Sequence, residues 1–252
     1  MPRRWNSTCL DARVSRRPRA TGDVLLLIRP NRLERFTLTT PRILPAMPAT
    51  RSEPPGFPAT IPSPGSLQQL HEVMVRCTRC SLFMNRTQVV PGSGPSRPDI
   101  LFVGEAPGAS EDREGIPFVG RSGELLEAML EVAGISREEV FIANVIRCRP
   151  PKNRNPRAAE LRACRGWMEE QVRLLNPRIV VSLGRYALQH FVAKARVTEV
   201  QGRLRKVAYS GGEIRLLPLV HPSAVLRDPS FRPKYEEQFR RLGRLLRSGS
   251  GD

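Results

Sequence analysis

The chain is 252 residues long and carries 41 Lys and Arg against 24 Asp and Glu, a net charge of +17 at pH 7. That surplus excludes an ordinary acidic metabolic enzyme as the default and favours a polyanionic partner, either nucleic acid or an anionic membrane face. The longest early apolar run, Val24-Leu25-Leu26-Leu27-Ile28, is too short for a signal-peptide core or for the roughly 20 residues of a spanning helix, so the membrane option weakens.

Residues 1–66 hold 11 of the 24 prolines, with 11 arginines against 4 acids. No apolar period survives there, and such a stretch buries too little apolar surface to offset its ordering entropy. It reads as a disordered basic tail. A translation start near Met47 and a transit peptide are the competing readings of the same segment.

From Leu67 onward, helix and strand signals alternate. Leu67, Leu70, Val73 and Met74 mark a short amphipathic helix leading into Cys77. Asp99 to Val103 is a strand-length apolar run closed by Gly104. Leu125, Leu126, Met129, Leu130 and Ala133 share one helical stripe that stops at Gly134. Val140 to Ile146 reads as a second strand, and Ala158 to Leu175 as a helix ended by Asn176-Pro177. Arg178 to Gly184 reads as a third strand followed by a helix over Tyr186 to Ala193. Leu216 to Val220 reads as a fourth strand, and Tyr235, Phe239, Leu242 and Leu246 mark a closing helix. The expected fold is α/β: a mostly parallel four-stranded sheet covered on both faces, spanning residues 67–247, with 248–252 as a disordered end.

In such sheets ligands bind beyond the carboxyl ends of the strands. Three of the four expected ends are polar: Gly104-Glu105-Ala106-Pro107-Gly108 with Glu111-Asp112 and Pro117-Phe118-Val119-Gly120, then Asn144 with Cys148-Arg149-Pro150-Pro151, then His221-Pro222-Ser223-Ala224. Singly, each has a plain structural explanation as a turn, a cap or a core ring. Together on one rim they supply an aromatic plate, an amide, an imidazole and backbone amides, the parts that hold a flat, amide-edged base.

Cys77 and Cys80 form a C-x2-C pair, and Cys148 and Cys164 are separated by 15 intervening residues. Four thiolates suit tetrahedral zinc or an iron–sulfur cluster, and the split second pair tilts toward the cluster. Neighbouring Arg147 and Arg149 favour the Cys148 thiolate. Such a metal pattern, rather than a disulfide framework, fits a reducing, cytoplasmic compartment. Cys9 has no evident partner.

The motifs GEAPGxxED at residues 104–112, PFVGR at 117–121, NVIRCRPP at 144–151 and HPS at 221–223 strongly resemble the family 4 uracil-DNA glycosylases. The resemblance runs from about Leu67 to Leu246. It implies a three-layer α/β/α fold with a four-iron, four-sulfur cluster on Cys77, Cys80, Cys148 and Cys164. It implies that Phe118 stacks on a flipped uracil, Asn144 pairs with its O4/N3 edge, and His221 donates toward O2. Glu105 and the Ala106 backbone would line the pocket, and Glu111 is the catalytic candidate for positioning or activating the attacking water. Asn153 stands where family members carry a further site-associated Asn. Other branches place Asp or Asn in the first motif for the water, and Ala106-Pro107 offers neither. One related branch has a His-containing insertion between the third and fourth cysteines; residues 149–163 contain no His.

The expected partner is uracil-containing DNA, bound by a monomer in the bacterial or archaeal cytosol. Arg147, Arg149, Lys152, Arg154 and Arg157 read as a phosphate-contacting loop. Arg203, Arg205 and Lys206 form a second cluster, and Arg227 follows the His221 motif. Two other classes share parts of this pattern: a non-catalytic nucleic-acid-binding module with a structural zinc or iron–sulfur site, and a nucleotide-binding α/β enzyme. The second lacks a P-loop lysine and a dinucleotide fingerprint.

Overall fold

Runs of aliphatic and β-branched residues form the centre of the sheet because every position along them is buried. The computed structural model describes residue 61 and residues 63–248. Its strands are β1 (Ile100–Gly104), β2 (Val140–Asn144), β3 (Ile179–Leu183), β4 (Arg205–Tyr209) and β5 (Gly212–Leu219), in the order β2-β1-β3-β5-β4. The first four in that order are parallel, and β4 runs antiparallel to β5.

The sheet has five strands rather than the expected four. β4 is an edge strand whose Arg205, Lys206 and Ala208 are exposed, so it lacks the apolar run that marks a central strand. Ser210 and Gly211 close its hairpin, both at positive φ (48° and 83°), as a two-residue turn with the sheet's twist demands.

β1, β2 and β3 are buried at all five positions, so alternate residues feed two cores. On one face Leu101, Val103, Phe141, Ala143 and Val180 pack against α1 (Leu67–Met74), α4 (Ala158–Leu175) and α5 (Arg185–Phe191). The other core gathers Ile100, Phe102, Ile142, Val181 and Leu219 with α3 (Arg121–Ala133), α7 (Pro222–Arg227) and α8 (Arg232–Arg247). Phe102 stacks on Phe239 of α8 with centroids 6.0 Å apart. Two short helices, α2 (Ala109–Glu114) and α6 (Val197–Val200), lie in connections.

The helix ends follow local chemistry. The Ser66 side chain caps α1 by accepting from the Gln69 backbone N–H. α4 ends where Asn176 turns left-handed before Pro177. The basic tail expected over 1–66 lies, through residue 60 and at 62, outside the described residues, as does Cys9. Its last residues are not separate from the body: the Ser63 hydroxyl donates to Glu170, and Arg173 donates to the Pro64 carbonyl. Among the described residues no helix is long and apolar enough to cross a membrane.

Register decides where a ligand can sit. Gly104 pairs with Asn144, Val103 with Ser182 and Leu183 with Leu219, so the strand ends meet on one edge of the sheet. His221 follows two residues after β5.

Candidate functional site

Beyond that edge lies a cavity of about 720 Å³. Its lining includes Glu105, Ala106, Glu111, Phe118, Asn144 and His221, so the strand-end residues singled out from sequence share one cavity, and Asn153 lies on its rim. Asn144 is 2% exposed and Phe118 6%. The Asn144 amide has no hydrogen bond to the described residues.

Gly104 makes this arrangement possible. A Cβ there would overlap the Asn144 Oδ1 and come within 2.6 Å of the Phe118 ring. The amide and the ring therefore both close over a bare Cα. Phe118 itself sits at φ 54°, a conformation that is an outlier for a bulky residue. Gly123, in the first turn of α3, lets the helix press on the Phe118 carbonyl, where any Cβ would collide. Neither glycine's role was evident from the sequence, which offers only a glycine after a strand and one in a helix.

Glu111 braces the same wall. Its Oε2 accepts the Gly108 N–H at 3.0 Å, and its Oε1 accepts those of Val119 (3.1 Å) and Gly120 (2.9 Å). One carboxylate thus ties the loop after β1 to the loop carrying Phe118. Glu105 differs: burial raises its carboxyl above the usual carboxylate range, an effect that Arg185 offsets in part, and its carboxylate accepts no hydrogen bond from the described residues.

His221 caps α7. Its Nδ1 accepts the Ser223 backbone N–H at 3.1 Å and lies 2.9 Å from the Ser223 hydroxyl. Burial, with Arg227 nearby, lowers the imidazole to about 4. At neutral pH the ring is therefore uncharged, with its proton on Nε2. The His221 ring lies 5.8 Å from that of Phe118.

The cavity mouth is cationic: Arg121, Arg154, Arg185 and Arg227 line it, and the Arg185 guanidinium covers the Tyr186 ring at 4.5 Å. The five-cation loop expected from sequence is smaller than it read. Arg147 is 1% exposed and points inward. Arg154 is held by Glu160 at 2.5 Å, and Arg149 donates to Asn153. Lys152 and Arg157 stay exposed.

The four cysteines line a second, narrow cavity with Arg79, Arg86, Arg147 and Trp167. Cys77 follows α1, Cys80 precedes a 3-10 turn over Ser81–Met84, Cys148 lies past β2, and Cys164 is on α4. Burial pushes the Cys148 thiol to about 11 and that of Cys164 to about 12. Arg86, rather than the Arg149 beside it in sequence, is the cation on Cys148, with Nη1 3.2 Å from Sγ. Among the described residues no three His, Cys, Asp or Glu side chains form a group that would hold a single metal ion. Four thiols around one apolar cavity with cations and no carboxylate on its lining are a donor set suited to a larger, anionic thiolate-bound group.

The family model of the Uracil DNA glycosylase superfamily matches residues 91–242. The chain is 40% identical over 186 residues to a type-4 uracil-DNA glycosylase of Sulfurisphaera tokodaii, covering 71% of this chain and 84% of that protein. It is 38% identical over 185 residues to the Archaeoglobus fulgidus protein of the same name, covering 71% and 93%. A Thermotoga maritima type-4 uracil-DNA glycosylase is 43% identical over 164 residues, covering 65% and 85%.

Proposed function

The chain belongs to the uracil-DNA glycosylase superfamily, in its type-4 branch, and from that premise we propose that it excises uracil from DNA as a base excision repair enzyme. The observation that carries the site assignment is the single cavity in which Phe118, Asn144 and His221 converge, the first two packed over Gly104.

In this reading the uracil leaves the helix stack and rests on the Phe118 ring, which offsets part of the unstacking cost. The Asn144 amide pairs with the O4/N3 edge. Cytosine carries an amino donor where uracil has O4, so a buried amide oriented for uracil would be left unpaired, a cost of about 1–3 kcal/mol for a neutral group. The backbone at Ala106 completes the edge of the slot.

Cleavage of the N-glycosidic bond leaves positive charge on the sugar and negative charge on the departing base. His221 supplies a neutral Nε2–H donor to the uracil O2 as that charge develops. The water falls to Glu105, whose carboxylate is half-buried and, among the described residues, uncommitted to any hydrogen bond. Glu111 acts on the reaction by position, holding Phe118 and the first-motif loop. Asn153 orders the rim through Arg149.

Cys77, Cys80, Cys148 and Cys164 would hold a four-iron, four-sulfur cluster, which supplies a covalent tie between the segment after α1, the loop past β2 and α4. The chain acts as a monomer on single- or double-stranded DNA in a reducing interior, with the arginines at the cavity mouth on the phosphates.

The test is purified protein incubated with uracil-containing oligonucleotides, followed by alkali to cleave abasic sites. Wild type should cut at the uracil, while Asn144→Ala and His221→Leu lose base release and keep DNA binding. Binding without base release by the wild type would reduce the chain to a nucleic-acid-binding module.

A further inference from the structure

The cysteine cavity holds a charge that no carboxylate among the described residues balances. Arg147 is 1% exposed, and its hydrogen bonds go to the Pro91 carbonyl at 3.2 Å and to the Gln171 side-chain oxygen, both neutral. Its Nε is buried and has no hydrogen-bond partner among the described residues. A buried guanidinium without an anion is strongly destabilising. Among the described residues no carboxylate lines the cavity that Arg147 shares with Cys77, Cys80, Cys148 and Cys164. Arg86 reaches the same cavity: Nη1 donates to the Cys77 carbonyl at 2.7 Å and to the Cys148 sulfur at 3.2 Å.

We infer that Arg86 and Arg147 are a cationic clamp that neutralises the four-thiolate cluster and sets its reduction potential. The inference rests on the cluster reading above. Four thiolates around a four-iron core leave the group anionic, and that net charge together with hydrogen bonds to the sulfurs governs its potential. Fixed cations favour the more negative, electron-rich state. They therefore raise the potential and oppose the loss of an electron to an oxidant. Arg86 also grips the segment after α1 through the Val75 and Cys77 carbonyls, so it couples cluster retention to that segment.

The experiment compares full-length wild type, Arg86→Gln, Arg86→Lys and Arg147→Met after anaerobic reconstitution. Iron per chain, the midpoint potential and the decay of visible cluster absorbance under ferricyanide are the readouts. Arg86→Gln should lower the midpoint by about 59 mV or more, a tenfold change in a one-electron equilibrium, and lose its colour at least about tenfold faster. Arg86→Lys, which keeps the charge, should stay near wild type. Arg147→Met, if it folds, should shift in the same direction as Arg86→Gln. Full iron with an unchanged potential and decay rate in Arg86→Gln would overturn the clamp while leaving the cluster in place. Wild type that takes up no iron would overturn the cluster reading and the clamp with it.

Discussion

The Ser223 backbone N–H donates to Nδ1 of His221 at 3.1 Å, and that bond selects the imidazole tautomer. With Nδ1 engaged as an acceptor, the proton stays on Nε2, and the lowering of the group to about 4 keeps the ring neutral across the working range. A neutral donor avoids attracting the carboxylates Glu105 and Glu111 that share its cavity, and it can still strengthen its bond to an oxygen as negative charge grows there.

The pH dependence of kcat/KM follows. Because His221 does not titrate near its ordinary value, no change in rate should track a pKa of about 6.5. The acid limb should instead belong to Glu105, whose raised carboxyl must lose its proton to act as a base, so the rate rises with pH through that step. Glu105→Gln should abolish the limb as well as most of the rate. An unchanged limb in this variant would reassign the water to another group.

His221→Leu should lower kcat by about 100- to 1,000-fold, the usual effect of losing one donor to a developing anion. KM should change little. Single-turnover kinetics separates this from a binding defect.

Gly104→Ala tests the close approach of the two base-facing groups. The added methyl would displace the Asn144 amide and the Phe118 ring together. Base release should fall at least about a hundredfold, as expected for a displacement on the order of 1 Å. The salt dependence of DNA binding, set at the cavity mouth, should remain as in wild type.

All three histidines are depressed by burial: His71 and His221 to about 4 and His190 to about 3. The unfolded chain takes up protons near pH 6.5, whereas the folded chain resists until much lower pH. Stability is therefore fully present above about 6.5 and falls as the pH drops toward 4. Glu105, shifted upward, opposes this as one group against three. Urea unfolding at pH 7 and pH 5 should show the loss, with proton uptake on unfolding at pH 5 approaching three per chain.

DNA affinity should fall steeply between about 50 and 200 mM salt. Arg185→Ala or Arg227→Ala should weaken binding to any sequence alike and reduce the magnitude of the log–log salt slope by about 1 each. Binding that stays flat with salt would remove the phosphate role of the mouth.

Much of this was legible in the sequence, for physical reasons that differ by element. α4 runs from Ala158 to Leu175 as its apolar period and the Asn176-Pro177 stop require. The gathering of three strand ends followed from parallel topology alone. β4 escaped because an edge strand with Arg205 and Lys206 in solvent has no apolar signature, although Tyr209-Ser210-Gly211-Gly212 carried a hairpin signal. Arg147 read as a surface cation from the other cations of its loop; the acceptors Pro91 and Gln171, 56 and 24 residues away, turn it inward. Glu111 bonds amides up to nine residues away, a pattern no local window shows.

The triple bond pattern of Glu111 bears on the thermodynamics of recognition. Since one side chain fastens both loops, the surface under the pyrimidine is set before any nucleotide arrives. Little protein freedom remains to be surrendered on association. The unfavourable share of the binding free energy then falls on distorting the nucleic acid, so a strand already lacking its complement should be the easier substrate.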